Sequence, residues 1–257
     1  MENRITSLFK RRDKNILSIY FTAGYPNLDD TITVISELEK NGADLIEIGI
    51  PFSDPVADGP VIQRSSEIAL KNGMTIHLLF EQLKEIRKSV SVPLILMGYL
   101  NPVMQYGIED FCNKCRETGI DGTIIPDLPL EVYEEEYREI FERNSLSNIF
   151  LITPQTAEER IRKIDGLSNG FIYMVSSSST TGAKGVVDEE QITYFERIQH
   201  LNLHSKRLIG FGISDKATFE RASGHANGAI IGSAFITAIT GEGPIGTKVR
   251  TFMKFFI

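Results

Sequence analysis

Residues 44–60 read Asp44-Leu45-Ile46-Glu47-Ile48-Gly49-Ile50-Pro51-Phe52-Ser53-Asp54-Pro55-Val56-Ala57-Asp58-Gly59-Pro60. The first half alternates, so Ile46, Ile48 and Ile50 share one face of a strand while Leu45, Glu47 and Gly49 share the other. Outward from it, short β-branched runs recur along the chain and alternate with longer amphipathic stretches, with Gly, Pro, Asn or Asp at the turns. Strands are expected near Ile16–Phe21, Leu45–Gly49, Pro93–Met97, Gly122–Ile125, Asn148–Ile152, Phe171–Val175, Leu208–Gly210 and Ala229–Ile231. Helices are expected over Asp29–Asn41, Val61–Lys71, Ile76–Ser89, Ile108–Thr118, Glu131–Asn144, Ala157–Leu167, Glu189–Leu201, Lys216–Ser223 and Thr247–Phe256.

Strands joined by helical crossovers run parallel, and eight of them can close into a (β/α)8 barrel without an exposed edge. An open, doubly wound sheet is the structural alternative. No Pro/Gly/Ser-rich linker divides the 257 residues, so residues 1–257 are read as a single α/β barrel domain. The balance of 27 basic against 34 acidic residues, a net charge of −7, argues against a nucleic-acid partner. No stretch approaches the ~20 apolar residues of a membrane span, and the apolar run after Lys14 is too short for a signal peptide. A cytoplasmic location is therefore expected. Two cysteines cannot build a disulfide framework. Cys112 and Cys115 have CxxC spacing but fall in a helical pattern with no second pair, so no metal site is expected.

In a barrel, function collects in the loops after the strand C-termini. The isoleucine face of residues 45–50 suits the surrounding helices, which turns Glu47 inward near the strand's end. There a carboxylate loses water and its proton affinity rises toward a value useful for proton transfer. A structural Glu paired with a base is the plainer reading of such a residue. The loop that follows offers Asp54 and Asp58 on a backbone stiffened by Pro51, Pro55 and Pro60. Pattern alone does not choose between the two aspartates, and either could instead form a turn or cap the helix starting near Val61. Two late strands run into glycine, Leu208–Ser214 and Gly228–Ala234. With Thr181-Gly182-Ala183-Lys184-Gly185 after the sixth strand, they suit backbone N–H groups that grip a phosphate.

The string from Ile46 to Gln63 resembles the signature of the tryptophan synthase alpha chain family. Tyr20-Phe21-Thr22-Ala23-Gly24-Tyr25-Pro26, Met97-Gly98-Tyr99-Leu100-Asn101-Pro102, Pro126-Asp127-Leu128-Pro129 and the two glycine ends support it. The resemblance implies a (β/α)8 barrel that cleaves indole-3-glycerol phosphate to indole and glyceraldehyde 3-phosphate with no metal or organic cofactor. It assigns Glu47 to proton transfer between the glycerol hydroxyl and indole C3, and Asp58 to the indole N–H. It places the phosphate on Gly182, Gly212, Gly232 and Ser233, and the indole and glycerol against Phe21, Leu100, Tyr173 and Thr181. Ser179 and Thr180 depart from the family's Gly-Val in the loop that carries Thr181.

The family's alpha chain docks on a pyridoxal-phosphate beta chain, two alpha with two beta chains, and indole passes between them. Asp54, Pro55, Asn101 and Pro129 fall in the loops that would meet that partner. Two other readings are distinguishable. A Schiff-base aldolase would need a lysine at a strand end inside the barrel, and the eight expected strands contain none, leaving Lys184 as the nearest candidate. A non-catalytic activator has no reason to keep a carboxylate inside a barrel, where burial costs several kcal/mol.

Overall fold

In a computed structural model, residues 2–55, 58–176, 189–210 and 212–256 are described. The helix α1 (Arg4–Arg11) leads into β1 (Ile16–Thr22), α2 (Asp30–Lys40), β2 (Leu45–Gly49), α3 (Pro60–Lys71), α4 (Ile76–Leu83) and β3 (Leu94–Met97). Next come α5 (Leu100–Tyr106), α6 (Ile108–Thr118), β4 (Gly122–Ile124), α7 (Leu130–Val132), α8 (Arg138–Arg143) and β5 (Ser147–Ile152). The chain ends with α9 (Glu158–Leu167), β6 (Phe171–Val175), α10 (Glu189–His200), β7 (Lys206–Gly210), α11 (Lys216–His225), β8 (Gly228–Ile231), α12 (Ser233–Ile239) and α13 (Ile245–Met253). The eight strands close in sequence order, β8 pairing in parallel with β1. All eight expected strands are present and the open sheet is excluded.

Parallel neighbours place paired residues on the same face, and the β1–β2 register pairs Ser18 with Leu45, Tyr20 with Glu47 and Thr22 with Gly49. These six point into the barrel. Leu17, Ile19 and Phe21 fall on the other face, in the large core between sheet and helices with Ile46 and Ile48. The interior is a packed second core of Ile16, Tyr20, Leu45, Ile95, Ile124, Ile149, Phe171, Tyr173, Leu208 and Ile230. Helix α1 closes its lower end with Ile5, Leu8 and Phe9, the Phe9 ring 6.0 Å from Phe171. Asn3 starts that helix with a reciprocal cap, its side chain accepting from the Thr6 N–H.

The same lower end is tied by Asp121, which is buried. It accepts from Arg87 at 2.6 Å, from Arg4 at 3.0 Å and from the Leu94 N–H at 3.0 Å. Arg87 also donates to the carbonyls of Gly119, Val90 and Val92, joining β3, β4 and the turn before each. Burial draws the Arg87 guanidinium down to about 10, with the Asp121 charge opposing.

Several helices differ from expectation. Helices α1, α5 and α12 were not anticipated. Pro102 sits in the first turn of α5, where a proline is tolerated. The stretch expected as one helix over Glu131–Asn144 is α7, a π turn at Tyr133–Tyr137 and α8. Strand β7 begins two residues earlier than expected and so includes Lys206. That lysine lies at the end of the strand remote from the glycine loops and pairs with Asp13, so it offers no Schiff-base position. No helix among the described residues is long and apolar enough to cross a membrane.

Candidate active site

Glu47 is the third residue of β2 and is fully buried. The Ser18 hydroxyl donates to its Oε1 at 2.8 Å, while Oε2 is equally sealed and has no hydrogen-bond partner. Burial pushes the carboxyl up to about 8, the Ser18 hydrogen bond acting in the opposite direction. Burial therefore favours the acid form of Glu47 and brings its proton exchange into the range a catalytic cycle uses.

Two phenols share this space. Tyr20 from β1 and Tyr173 from β6 are buried, and both are raised in pKa, first by burial and then by nearby negative charge, with Glu47 and Asp58 among the sources for each. Their hydroxyls lie over Gly49 and Gly210. A methyl group at either glycine would overlap the phenol, so glycine is needed for close approach rather than for a turn.

Asp58 stands in the loop between β2 and α3, half-buried. The Tyr99 hydroxyl, from the turn after β3, donates to its Oδ2 at 3.1 Å, and Gln63 donates to its backbone carbonyl at 2.8 Å. The Phe52 ring packs on Tyr99 at 5.2 Å, bracing the donor. Burial pushes the Asp58 carboxyl up and Tyr99 pulls it back down. Asp58 does not cap α3, whose cap is Gly59 followed by Pro60 at the first helical position. Asp54 is exposed and accepts from its neighbour Ser53.

Across Tyr20 from Glu47 lie the glycine-ended loops. Gly212 takes a left-handed φ of 73°, and a side chain there would meet nothing nearer than the Ser176 hydroxyl at 3.9 Å. Gly232 directly follows β8, with the Tyr20 ring 3.5 Å from where a Cβ would stand, and Ser233 beside it is exposed. Gly182 and Thr181 lie outside the described residues, as do Ser179, Thr180 and Lys184.

Two expected pocket residues are placed elsewhere. Phe21 is fully buried between sheet and helices, on the face of β1 opposite Glu47, and the ring beside the acid belongs to Tyr20. The run Ile16–Phe21 is apolar enough to be buried on both faces, so its phase rests on little beyond the polar Ser18 and Thr22. Leu100 opens α5, half-buried against the same outer core as Phe21. Ser18 and Tyr99 were not anticipated. Ser18 and Thr22 flanking Tyr20 at alternate positions were the available signal that this face turns toward polar chemistry.

Asp54, Asn101 and Pro129 are exposed and Pro55 half-buried, on the loops after three consecutive strands, β2, β3 and β4. A groove of about 840 Å³ lined by Phe52, Asp54, Pro55, Gln63 and Arg64 borders this region, and Glu47 does not line it. Cys112 and Cys115 are buried in α6, and burial raises both thiols, Cys112 to about 12. They are packing residues.

Fold and site together define a (β/α)8-barrel of the acid–base kind: a dehydrated glutamate and a braced aspartate at the strand ends, opposite open glycine loops. Comparison with known proteins narrows this class. The family model described as tryptophan synthase alpha chain matches residues 7–252, and the chain belongs to that family. It is 63% identical to the tryptophan synthase alpha chain of Flavobacterium johnsoniae over 251 residues, 98% of each chain. It is 61% identical to that of Phocaeicola vulgatus over 240 residues, 93% of each. The crystal structure of the alpha chain from Legionella pneumophila superposes with a TM-score of 0.88 at 32% identity, covering 98% of this chain and 95% of that one. A chain of the tryptophan synthase complex from Pyrococcus furiosus superposes with a TM-score of 0.86 at 32% identity, covering 95% and 98%.

Proposed function

We propose that this chain cleaves indole-3-glycerol phosphate to indole and glyceraldehyde 3-phosphate. The observation that carries the reading is the fully buried Glu47, with one oxygen anchored by Ser18 and the other without a hydrogen-bond partner. Its acid form gives a proton to indole C3, which places positive charge on the ring nitrogen. Asp58, held by Tyr99, accepts a hydrogen bond from the ring N–H and stabilises that charge. The resulting Glu47 carboxylate then takes the glycerol hydroxyl proton. As the carbon–carbon bond breaks, its electrons return to the ring, releasing indole and the aldehyde. The proton has moved from oxygen to carbon, and the glutamate is restored.

The N–H groups of Gly212, Gly232 and Ser233, joined by Gly182, bind the substrate phosphate. Tyr20 and Tyr173 pack against the indole and glycerol, in the role expected of Phe21, and Thr181 is assigned to the same pocket. The reaction requires no cofactor on this chain. A beta chain carrying pyridoxal phosphate docks on the loops holding Asp54, Pro55, Asn101 and Pro129, with two alpha and two beta chains in the assembly, in the cytoplasm. In support of a partner, the similar chain from Pyrococcus furiosus belongs to a tryptophan synthase complex.

Indole release by the purified chain, alone and mixed with a beta chain, tests the reading. Glu47→Gln should abolish release while leaving substrate binding intact, and near-wild-type turnover in that variant would refute it. Faster cleavage on mixing supports the partner, and an unchanged rate counts against it.

A further inference from the structure

The two oxygens of Glu47 have different surroundings. Oε1 accepts from Ser18 at 2.8 Å, and Oε2, just as completely buried, has no hydrogen-bond partner. A glutamate side chain has enough torsional freedom to present either oxygen, or to swing away, and each alternative dilutes the reactive geometry. Ser18 removes that freedom from a neighbouring strand. It stands in register with Leu45, two residues below the Tyr20–Glu47 pair, on a strand whose seven residues are all buried.

We propose that Ser18 is a positioning residue of the acid–base reaction: its hydroxyl pins Oε1, fixes the Glu47 rotamer and so directs Oε2 at the reacting atoms. This rests on the lyase reading given above. A charge-assisted hydrogen bond also favours the ionised carboxyl, so the same contact eases the step in which the acid becomes a base. Few other groups perform that task. Among the described residues, the titratable groups that interact with Glu47 are Tyr20 from β1 and Tyr173 from β6, and Asp58, from the loop after β2, acts on the same two phenols. From β3 the register brings only Ile95. The aspartate cannot stabilise a second negative charge, and both phenols are held in their neutral forms. Burial and Ser18 are the two opposing influences on the glutamate.

The test is a titration of the Glu47 carboxyl in the full chain by carbon-13 NMR, with the resonance assigned by its loss in Glu47→Gln. It is paired with kcat and KM for indole-3-glycerol phosphate cleavage across pH, measured with a beta chain present. Ser18→Ala should move the carboxyl midpoint up by about one pH unit. The matching limb of the kcat profile should move the same way. It should also lower kcat roughly 10- to 100-fold with KM little changed, since binding contacts remain. Ser18→Thr, which keeps a hydroxyl, should restore the midpoint. An unshifted carboxyl titration in Ser18→Ala would overturn the proposal, even with activity lost, because the loss would then be structural. So would a Ser18→Thr variant that behaves like Ser18→Ala. If the wild-type chain releases no indole, the lyase reading fails, while the titration still decides whether Ser18 governs Glu47.

Discussion

Replacing Glu47 by glutamine should make the folded chain more stable, and increasingly so as the pH rises. In the native barrel the carboxyl is pushed from its ordinary 4.5 to about 8. The folded chain therefore binds this proton more tightly than the unfolded one. The stabilising contribution is fully present below about pH 4.5 and is lost as the pH rises through about 8. Over that interval each pH unit costs about 1.4 kcal/mol. The cumulative penalty is about 3 kcal/mol at pH 7 and approaches about 5 kcal/mol above pH 9. Glu47 is fully buried, so solvent screening takes little from these figures. Glutamine has nearly the same shape, has no proton to lose in this range and still offers Ser18 a carbonyl oxygen. Urea or thermal unfolding of wild type and Glu47→Gln at pH 5, 7 and 9 measures the difference. At pH 7 the variant should melt roughly 6–12 °C higher. The two stability curves should converge toward pH 4.5. Curves that stay parallel from pH 5 to pH 9 would refute the placement of this acid in a dry interior. Because the same variant is expected to lose turnover, the experiment also weighs function against stability.

Two further expectations concern other parts of the molecule. Tyr99→Phe removes the donor to Asp58 but keeps the ring that packs on Phe52. The Asp58 carboxyl should rise further, and the acid limb of kcat/KM should move to higher pH, which rate measurements from pH 5 to 9 would detect. Asp121→Ala removes the buried carboxylate that pairs with the half-buried Arg87 at the opposite end of the barrel, so unfolding free energy should fall by about 3 kcal/mol. Turnover measured well below the melting temperature should be unchanged.

The eight strands are legible in sequence because each is a short β-branched run bounded by turn residues, and their closure follows from the helical crossovers between them. What was not legible depended on neighbours. The stretch Ser233–Ile239 follows β8 with only Gly232 between them, so the apolar run reads as one piece, and the change of period becomes visible only once Phe235, Ile236 and Ile239 find their packing. The phase of β1 shows the same limit. Seven consecutive buried residues carry little inside and outside of their own beyond the polar Ser18 and Thr22, and pairing with β2 decides that Tyr20, not Phe21, shares the face of Glu47. Glu47 itself was readable because it is the single acid within an alternating strand. Its partner Ser18 comes from β1, and the Asp58 partner Tyr99 from the turn after β3, so neither pairing can be read from the sequence around the acid.

Helix α1 has a consequence for traffic. By wedging Ile5, Leu8 and Phe9 under the strands, above the knot of Asp121 and Arg87, it makes the barrel a blind well. Among the described residues, this packing shuts the lower end, which leaves the rim at the strand ends as the way out for whatever is made beside Glu47. A partner that captures a product must therefore sit over the mouth through which the next reactant comes, and the two passages compete for the same opening.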